Sequence, residues 1–157
     1  MLIVDSREKP KAVAGILDYM QQSGVEYMVS KLIVGDYMIF KHPDRIIDRK
    51  QNIDELAKNC TTDHKRFRDE LERAADLGVE LIILVEQDRY WDRGKLIRVR
   101  TIEDLMLWES KYSTIRGERI YRILSNWCHK YPMRVEFCNK KDTGRRILEI
   151  LEGDTDG

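Results

Sequence analysis

Arg45-Ile46-Ile47-Asp48-Arg49-Lys50 reads as a strand that begins apolar and ends charged. Side chains alternate faces along a strand, so Asp48 and Lys50 point the same way. A second carboxylate stands upstream in Gly35-Asp36-Tyr37, where the glycine breaks a β-rich run. A third, Asp5, ends the apolar strand Leu2-Ile3-Val4. Singly, each has a plainer explanation: Asp48 and Lys50 as an edge-strand ion pair, Asp36 as a turn residue after glycine. Together they point to metal-assisted hydrolysis. Carboxylate oxygens hold a hard divalent cation, and with no His or Cys beside them they favour Mg²⁺ or Mn²⁺ over Zn²⁺. The cation polarises a phosphoryl oxygen and makes bound water more acidic. A lysine orients that water and offsets developing negative charge.

Outward from this stretch the pattern is that of an α/β domain. Val13, Ile16, Leu17 and Met20 sit at helical spacing after the first strand, and Ser23-Gly24 ends that helix. Val25 to Val34 is β-rich. Tyr37 to Phe40 and Arg45 to Lys50 are expected to be strands around a His42-Pro43-Asp44 turn. Ile53, Leu56, Ala57 and Cys60 mark a helix, and a second, capped by Asp63, carries Phe67, Leu71 and Ala74 inward and stops at Gly78. Val79 to Val85 is a continuous apolar run, as in a central strand covered on both faces. Gln87 to Arg100 reads as a polar, basic loop, and Ile102 to Trp108 as the start of another helix. Ile120, Ile123, Leu124, Trp127 and Tyr131 form a helical stripe; Met133, Val135 and Phe137 alternate as a strand; Ile147, Leu148 and Leu151 belong to a last helix. With no repeat or linker, residues 1–152 are expected to form one domain and 153–157 a flexible tail.

Composition narrows the function. The chain has 157 residues, 42% hydrophobic and 36% charged, enough to bury a core without disulfides. Three cysteines without an export signal read as free thiols in a reducing compartment. Cys60 and His64 are four apart, but no second ligand pair accompanies them, which argues against a zinc site. No apolar run is long enough to span a bilayer, and an intracellular location, cytoplasmic or nucleoid-associated, is expected. A formal net charge of zero argues against a histone-like binder, but it does not exclude a nuclease, whose acidic ligands offset basic phosphate contacts.

The blocks Val4-Asp5-Ser6-Arg7-Glu8, Gly35-Asp36-Tyr37 and Asp48-Arg49-Lys50, with Asp54 four residues on, resemble the XPF-type nuclease domain of the XPF, Mus-type and Hef endonucleases. Its pattern is Val-Asp-x-Arg-Glu near the first strand, then Gly-Asp, a variable gap, Glu-Arg-Lys, three residues and Asp. Arg66-Phe67 with Leu71, and Ile82 to Glu86, resemble the family's Arg-Phe helix and its central strand ending in Val-Glu. The likeness is dense over residues 2–86 and looser over 101–152. It implies a restriction-endonuclease-like core, a central mixed β-sheet flanked by helices. It implies that Asp36 and Asp48 are direct metal ligands, Asp5 and Glu8 further acids of the same pocket, and Lys50 the catalytic lysine. Arg49 and Asp54 would support site geometry, and Arg7 would do the same or face phosphate. Position 48 departs from the pattern, with Asp where the family has Glu, a carboxylate one methylene shorter. The family's tandem helix-hairpin-helix domain has no room in the chain, and Met1 close to the first strand favours a stand-alone nuclease.

The activity so implied is a Mg²⁺- or Mn²⁺-dependent endodeoxyribonuclease acting on branched DNA such as flaps, forks or Holliday junctions. The alternative is a catalytically inactive DNA-binding or partner scaffold of the same fold. Arg89, Tyr90, Trp91, Arg93 and Lys95 form a basic, aromatic segment that reads equally as solvated surface or as a DNA contact. The resemblance also implies a homodimer, with the helices bearing Trp108, Trp127, Ile147 and Leu151 as candidate interface elements.

Overall fold

The apolar run becomes β5 (Glu80–Val85), and every residue from Leu81 onward is fully buried. Its burial is two-sided: Leu81, Ile83 and Val85 join one core, Ile82 and Leu84 another. A computed structural model describes residues 1–153. All but Gly153 of the expected tail therefore lies outside the described residues.

Around β5 stand β1 (Leu2–Asp5), β2 (Tyr27–Ser30), β3 (Tyr37–Ile39), β4 (His42–Lys50) and β8 (Met133–Phe137), in the order β2-β1-β3-β4-β5-β8. β4, β5 and β8 run parallel, β1 and β2 run parallel, and β3 joins the two sets antiparallel to both neighbours. This is the expected mixed central sheet. Helices α1 (Pro10–Gln22) and α5 (Thr143–Glu152) supply apolar residues to one core, and α2 (Ile53–Cys60), α3 (His64–Asp76) and α4 (Gly117–Lys130) to the other. The helix stripes read from sequence are the buried faces: Val13, Ile16 and Met20 on α1, Phe67, Leu71 and Ala74 on α3, Ile120, Leu124 and Trp127 on α4.

Three local readings change. The reversal between β3 and β4 falls at Phe40-Lys41, and His42 to Asp44 already belongs to β4; a register shift between the strands takes up the irregularity. The segment expected as a basic loop contains a hairpin, β6 (Arg89–Asp92) and β7 (Lys95–Arg98). Its two-residue turn, Arg93-Gly94, has positive φ at both positions, as right-handed strand twist favours. The helix expected over 102–108 is a short 3-10 turn, Ile102–Leu105, and Trp108 follows it.

Burial also corrects the proposed subunit interface. Trp108 and Trp127 are nearly inaccessible, and Ile147 and Leu151 are fully buried. The Trp127 ring packs on Phe67 and His64, with centroids 5.4 and 5.2 Å away. Large apolar residues on a helix stripe serve the chain's own core first.

Candidate active site

The acidic cluster is assembled by the two reversals flanking β3. Gly35 turns with φ +70°, and a Cβ there would come within 2.3 Å of the Ile46 side chain and 3.0 Å of the Ile47 carbonyl oxygen. Only glycine allows this close approach, and it lays the next residue, Asp36, against β4. The Asp36 amide donates to the Ile47 carbonyl at 2.7 Å, and its carbonyl accepts from the Asp5 amide at 2.8 Å. Asp36 thereby bridges the ends of β1 and β4. Its Oδ2 accepts the Arg49 amide at 2.8 Å.

β4 then does what alternation requires. Ile46 faces the α2/α3/α4 core and Ile47 the α1/α5 core, so Asp48 and Lys50 emerge on the first side and Arg49 on the second. Lys50 Nζ lies 3.3 Å from Asp48 Oδ1, with side chains only 11% and 8% exposed. The ammonium also sits 5.4 Å from the centroid of the Phe67 ring on α3. Asp36, Asp48 and Lys50 open into a cleft of about 540 Å³ that Glu8, Arg49, Asn59 and Arg66 also line. An adjoining hollow of about 490 Å³ shares the same three residues and adds Asp5, Glu70 and Arg73.

Glu8 borders the cleft and Asp5 the adjoining hollow, and both are engaged. Asp5 accepts from Arg7 Nε at 2.8 Å and from the Leu32 amide at 2.8 Å. Arg7 in turn reaches the Leu32 carbonyl at 2.8 Å, clasping the loop before Gly35. Glu8 accepts from the Tyr37 hydroxyl at 2.6 Å and from Arg49 Nε at 2.9 Å. Asp54 is not brought to the cleft. It accepts from the Ser110 hydroxyl at 2.6 Å and lines a separate cavity of about 310 Å³ with Asn52, Trp91 and Tyr112. As one of the first residues of α2, it follows the turn away from β4 rather than the strand.

The hairpin residues divide. Trp91 is 66% exposed, whereas Tyr90 is buried and its hydroxyl donates to the Asp104 carbonyl at 3.3 Å. Stacking on a base is thus open to Trp91 and closed to Tyr90. Arg89 pairs with Asp88 at 3.0 Å, and Arg93 holds the turn. Cys60 is buried, which lifts its thiol to about 12, far from the thiolate a metal needs.

The model of the ERCC4 domain matches residues 4–150. The chain belongs to the ERCC4 domain family. In fold, this ERCC4 domain is similar to XPF from Aeropyrum pernix, with TM-score 0.64 and 19% identity over 99% of this chain. XPF from Aeropyrum pernix in a complex with DNA matches with TM-score 0.65 and 18% identity over 96% of the chain. This ERCC4 domain spans 62% of each of those XPF chains. No curated protein sequence matches it.

Two further acids of this ERCC4 domain bear on the site: Glu86, read in the sequence only as the end of a family-like strand and given no role, and Glu70, not singled out there. Glu86, one residue past β5, is buried and pairs with Arg49 Nη1 at 2.5 Å. It ends an apolar strand in charge, the same cue that marked Asp5. Glu70 on α3 accepts from the Gly35 amide at 3.3 Å and borders the hollow beside Asp48.

The electrostatics describe a site short of positive charge. Burial raises the Asp36 carboxyl well above its ordinary range, and Asp48 and Glu8 add to the rise; the Arg49 amide only partly opposes it. Burial and then Asp48 bring Glu70 to about 7. Burial would depress the Lys50 ammonium, but Asp48, Glu70, Glu55 and Asp36 outweigh it and hold the pKa above the usual value. Burial would likewise raise Asp5, yet its bonds from Arg7 and Leu32 keep it below the ordinary range. Like charges crowded in a half-dry cleft call for a proton or a cation between them.

Proposed function

We propose that this ERCC4 domain is a divalent-metal-dependent DNA endonuclease of the XPF type, hydrolysing phosphodiester bonds in branched DNA. The observation that carries the reading is the Asp36–Asp48–Lys50 arrangement: two crowded carboxylates lining one cleft, with an ammonium 3.3 Å from Asp48. Among the described residues no three His, Cys, Asp or Glu side chains form a ready metal cage. Two carboxylates suit a Mg²⁺- or Mn²⁺-type ion that keeps several waters of its own. Their shared need for positive charge fits such an ion, and Asp36 and Asp48 would hold it. When bound, it supplies Lewis-acid polarisation of a phosphate and a more acidic water.

The chain's own residues do the rest. Lys50 is kept protonated by its acidic neighbours and offers positive charge to a phosphate or to the attacking water. Arg66 and Lys58 line the cleft and give its rim a charge opposite to that of a DNA strand. A buried acidic cluster is costly for a scaffold that cuts nothing, which favours the nuclease reading over an inactive scaffold. Trp91, Arg93 and Lys95 on the hairpin are proposed DNA contacts. We further propose a homodimer, formed through exposed apolar residues such as Met106 and Leu107 rather than through the buried tryptophans.

The test is cleavage of labelled flap, fork and four-way-junction DNA beside linear duplex, in Mg²⁺, Mn²⁺ or EDTA. Metal-restored cutting that prefers the branched substrates is expected. Undiminished cutting in EDTA defeats the metal assignment, and equal cutting of linear duplex defeats the branched-DNA assignment.

A further inference from the structure

Arg49 leaves β4 on the face opposite Asp48 and Lys50, and two carboxylates hold it there. Its Nε donates to Glu8 at 2.9 Å and its Nη1 to Glu86 at 2.5 Å. The Arg49 and Glu86 side chains are 5% and 2% exposed. Arg49 and Glu8 only edge the cleft, and the guanidinium is committed to the two carboxylates.

The second oxygen of Glu86 accepts from the Thr143 hydroxyl at 2.6 Å. Thr143 is the first residue of α5 and is buried. The same hydroxyl lies 2.9 Å from the Lys140 carbonyl, but it has one proton, and the nearer, charged acceptor takes it. The Cys138 sulfur sits 3.8 Å from the Thr143 oxygen. Burial lifts that thiol to about 11, so it stays protonated near neutrality and can donate. At the far end, the Tyr37 hydroxyl donates to Glu8 at 2.6 Å. One run of hydrogen bonds thus leads from Cys138 through Thr143, Glu86 and Arg49 to Glu8 and Tyr37. Gly144 lets the start of α5 come this close: a Cβ there would lie 2.8 Å from the Tyr19 Cβ on α1.

This run reaches both acidic sides of the cleft. Through its side chain Arg49 fixes Glu8, and through its amide, 2.8 Å from Oδ2, it fixes Asp36. A buried ion cluster of this kind is weak as a stability device, since apolar residues of similar volume often do as well. What it provides is orientation, because a bidentate guanidinium tolerates little rotation.

We propose that Glu86 and Thr143 are positioning residues that act through Arg49 to hold Glu8 and Asp36 in place at the acidic cleft. The proposal rests on the nuclease reading and assigns the underside of the sheet a part in it. Outer partners of metal-binding groups work this way elsewhere, orienting ligands they support without touching the ion.

The test uses the full chain with Glu86→Gln, Thr143→Val and Thr143→Ser. Single-turnover cleavage of a branched DNA in Mn²⁺, DNA affinity in Ca²⁺, calorimetric Mn²⁺ affinity without DNA, and melting temperature are measured on each. Glu86→Gln and Thr143→Val are expected to lower the cleavage rate or the Mn²⁺ affinity roughly 10–100-fold, with DNA affinity unchanged. Thr143→Ser, which keeps the hydroxyl, restores both. Thr143→Val removes one hydroxyl while keeping shape, so it remains informative if Glu86→Gln does not fold. Cleavage per folded molecule and Mn²⁺ affinity within about twofold of wild type in both variants would overturn the proposal. In that case a cutting wild type leaves the nuclease reading intact. If the wild type neither cuts nor binds Mn²⁺, the nuclease reading fails and this inference fails with it.

Discussion

Neutralising Asp48 separates a catalytic carboxylate from a structural one. Asp48 and Lys50 are a buried pair 3.3 Å apart, and removing one partner of such a pair commonly costs about 3–5 kcal/mol. Asp48→Asn escapes most of that cost. Asp48 raises both Asp36 and Glu70, so its neutralisation relieves both, while Glu70, Glu55 and Asp36 continue to offset the Lys50 charge. The opposing effects leave a net change of about 1 kcal/mol or less, roughly 2–4 °C in a chain of this size. Cleavage loses an anionic ligand worth several kcal/mol at the transition state, or roughly 10²–10³-fold in rate. Lys50→Ala behaves differently. It abolishes cleavage and also leaves Asp48 without its ion-pair partner and Glu70 without one of the two cations that lower it, so its melting temperature falls further in the absence of metal. Asp48→Glu restores the family's residue and retains measurable activity. Melting curves with and without Mn²⁺ and single-turnover cleavage are read on the same three preparations. Near-normal cleavage by Asp48→Asn, or a loss that tracks its unfolded fraction, would refute the reasoning.

Glu70 gives a pH signature. An acid raised to about 7 in the folded state stabilises fully below its unfolded value and loses that contribution as pH rises through about 7. In chelator the wild type is therefore expected to lose melting temperature over this window, and Glu70→Gln to lose less; identical profiles contradict the assignment. On the hairpin, Arg93→Ala with Lys95→Ala is expected to weaken binding to every DNA and to reduce the salt slope by about 2, as fluorescence anisotropy at several salt concentrations would show. An unchanged slope places the DNA elsewhere. Leu107 is 67% exposed, and Leu107→Glu is expected to convert a dimer to monomer by light scattering. A wild type that is monomeric at micromolar concentration removes the dimer altogether.

Much of the fold was legible because its cues are local. Two-sided burial of β5 shows as an unbroken apolar run, and the helices show as stripes with one wet face. The hairpin was missed because Arg89-Tyr90-Trp91-Asp92 carries a charge at each end and its turn is Arg93-Gly94 rather than Asn-Gly or Asp-Gly. The helix expected through Trp108 was cut short for a different reason. Its apolar spacing continues, but the chain turns after Leu105, and the Trp108 amide bonds back to the Leu105 carbonyl at 2.9 Å. Periodicity shows which residues are buried, but not whether a helix or a turn buries them.

The site divides along the same line. Strand alternation shows that Asp48 and Lys50 share a face, and therefore that Arg49 faces the other core. It cannot show what meets Arg49 there. The answer lies in the sheet register: β4 and β5 pair in parallel with Lys50 opposite Val85, which sets Glu86 just beyond the strand end, where Arg49 reaches it. Glu70 is harder still, because an acid between two buried positions of an amphipathic helix looks the same whether it meets water or a cleft. Only the Gly35 turn, folded onto that helix, distinguishes the two. Residues whose neighbours come from their own strand could be placed from the sequence. Those whose partners arrive from another strand or helix, Glu86 and Glu70 among them, needed the register, and these are the groups that surround Asp36 and Asp48.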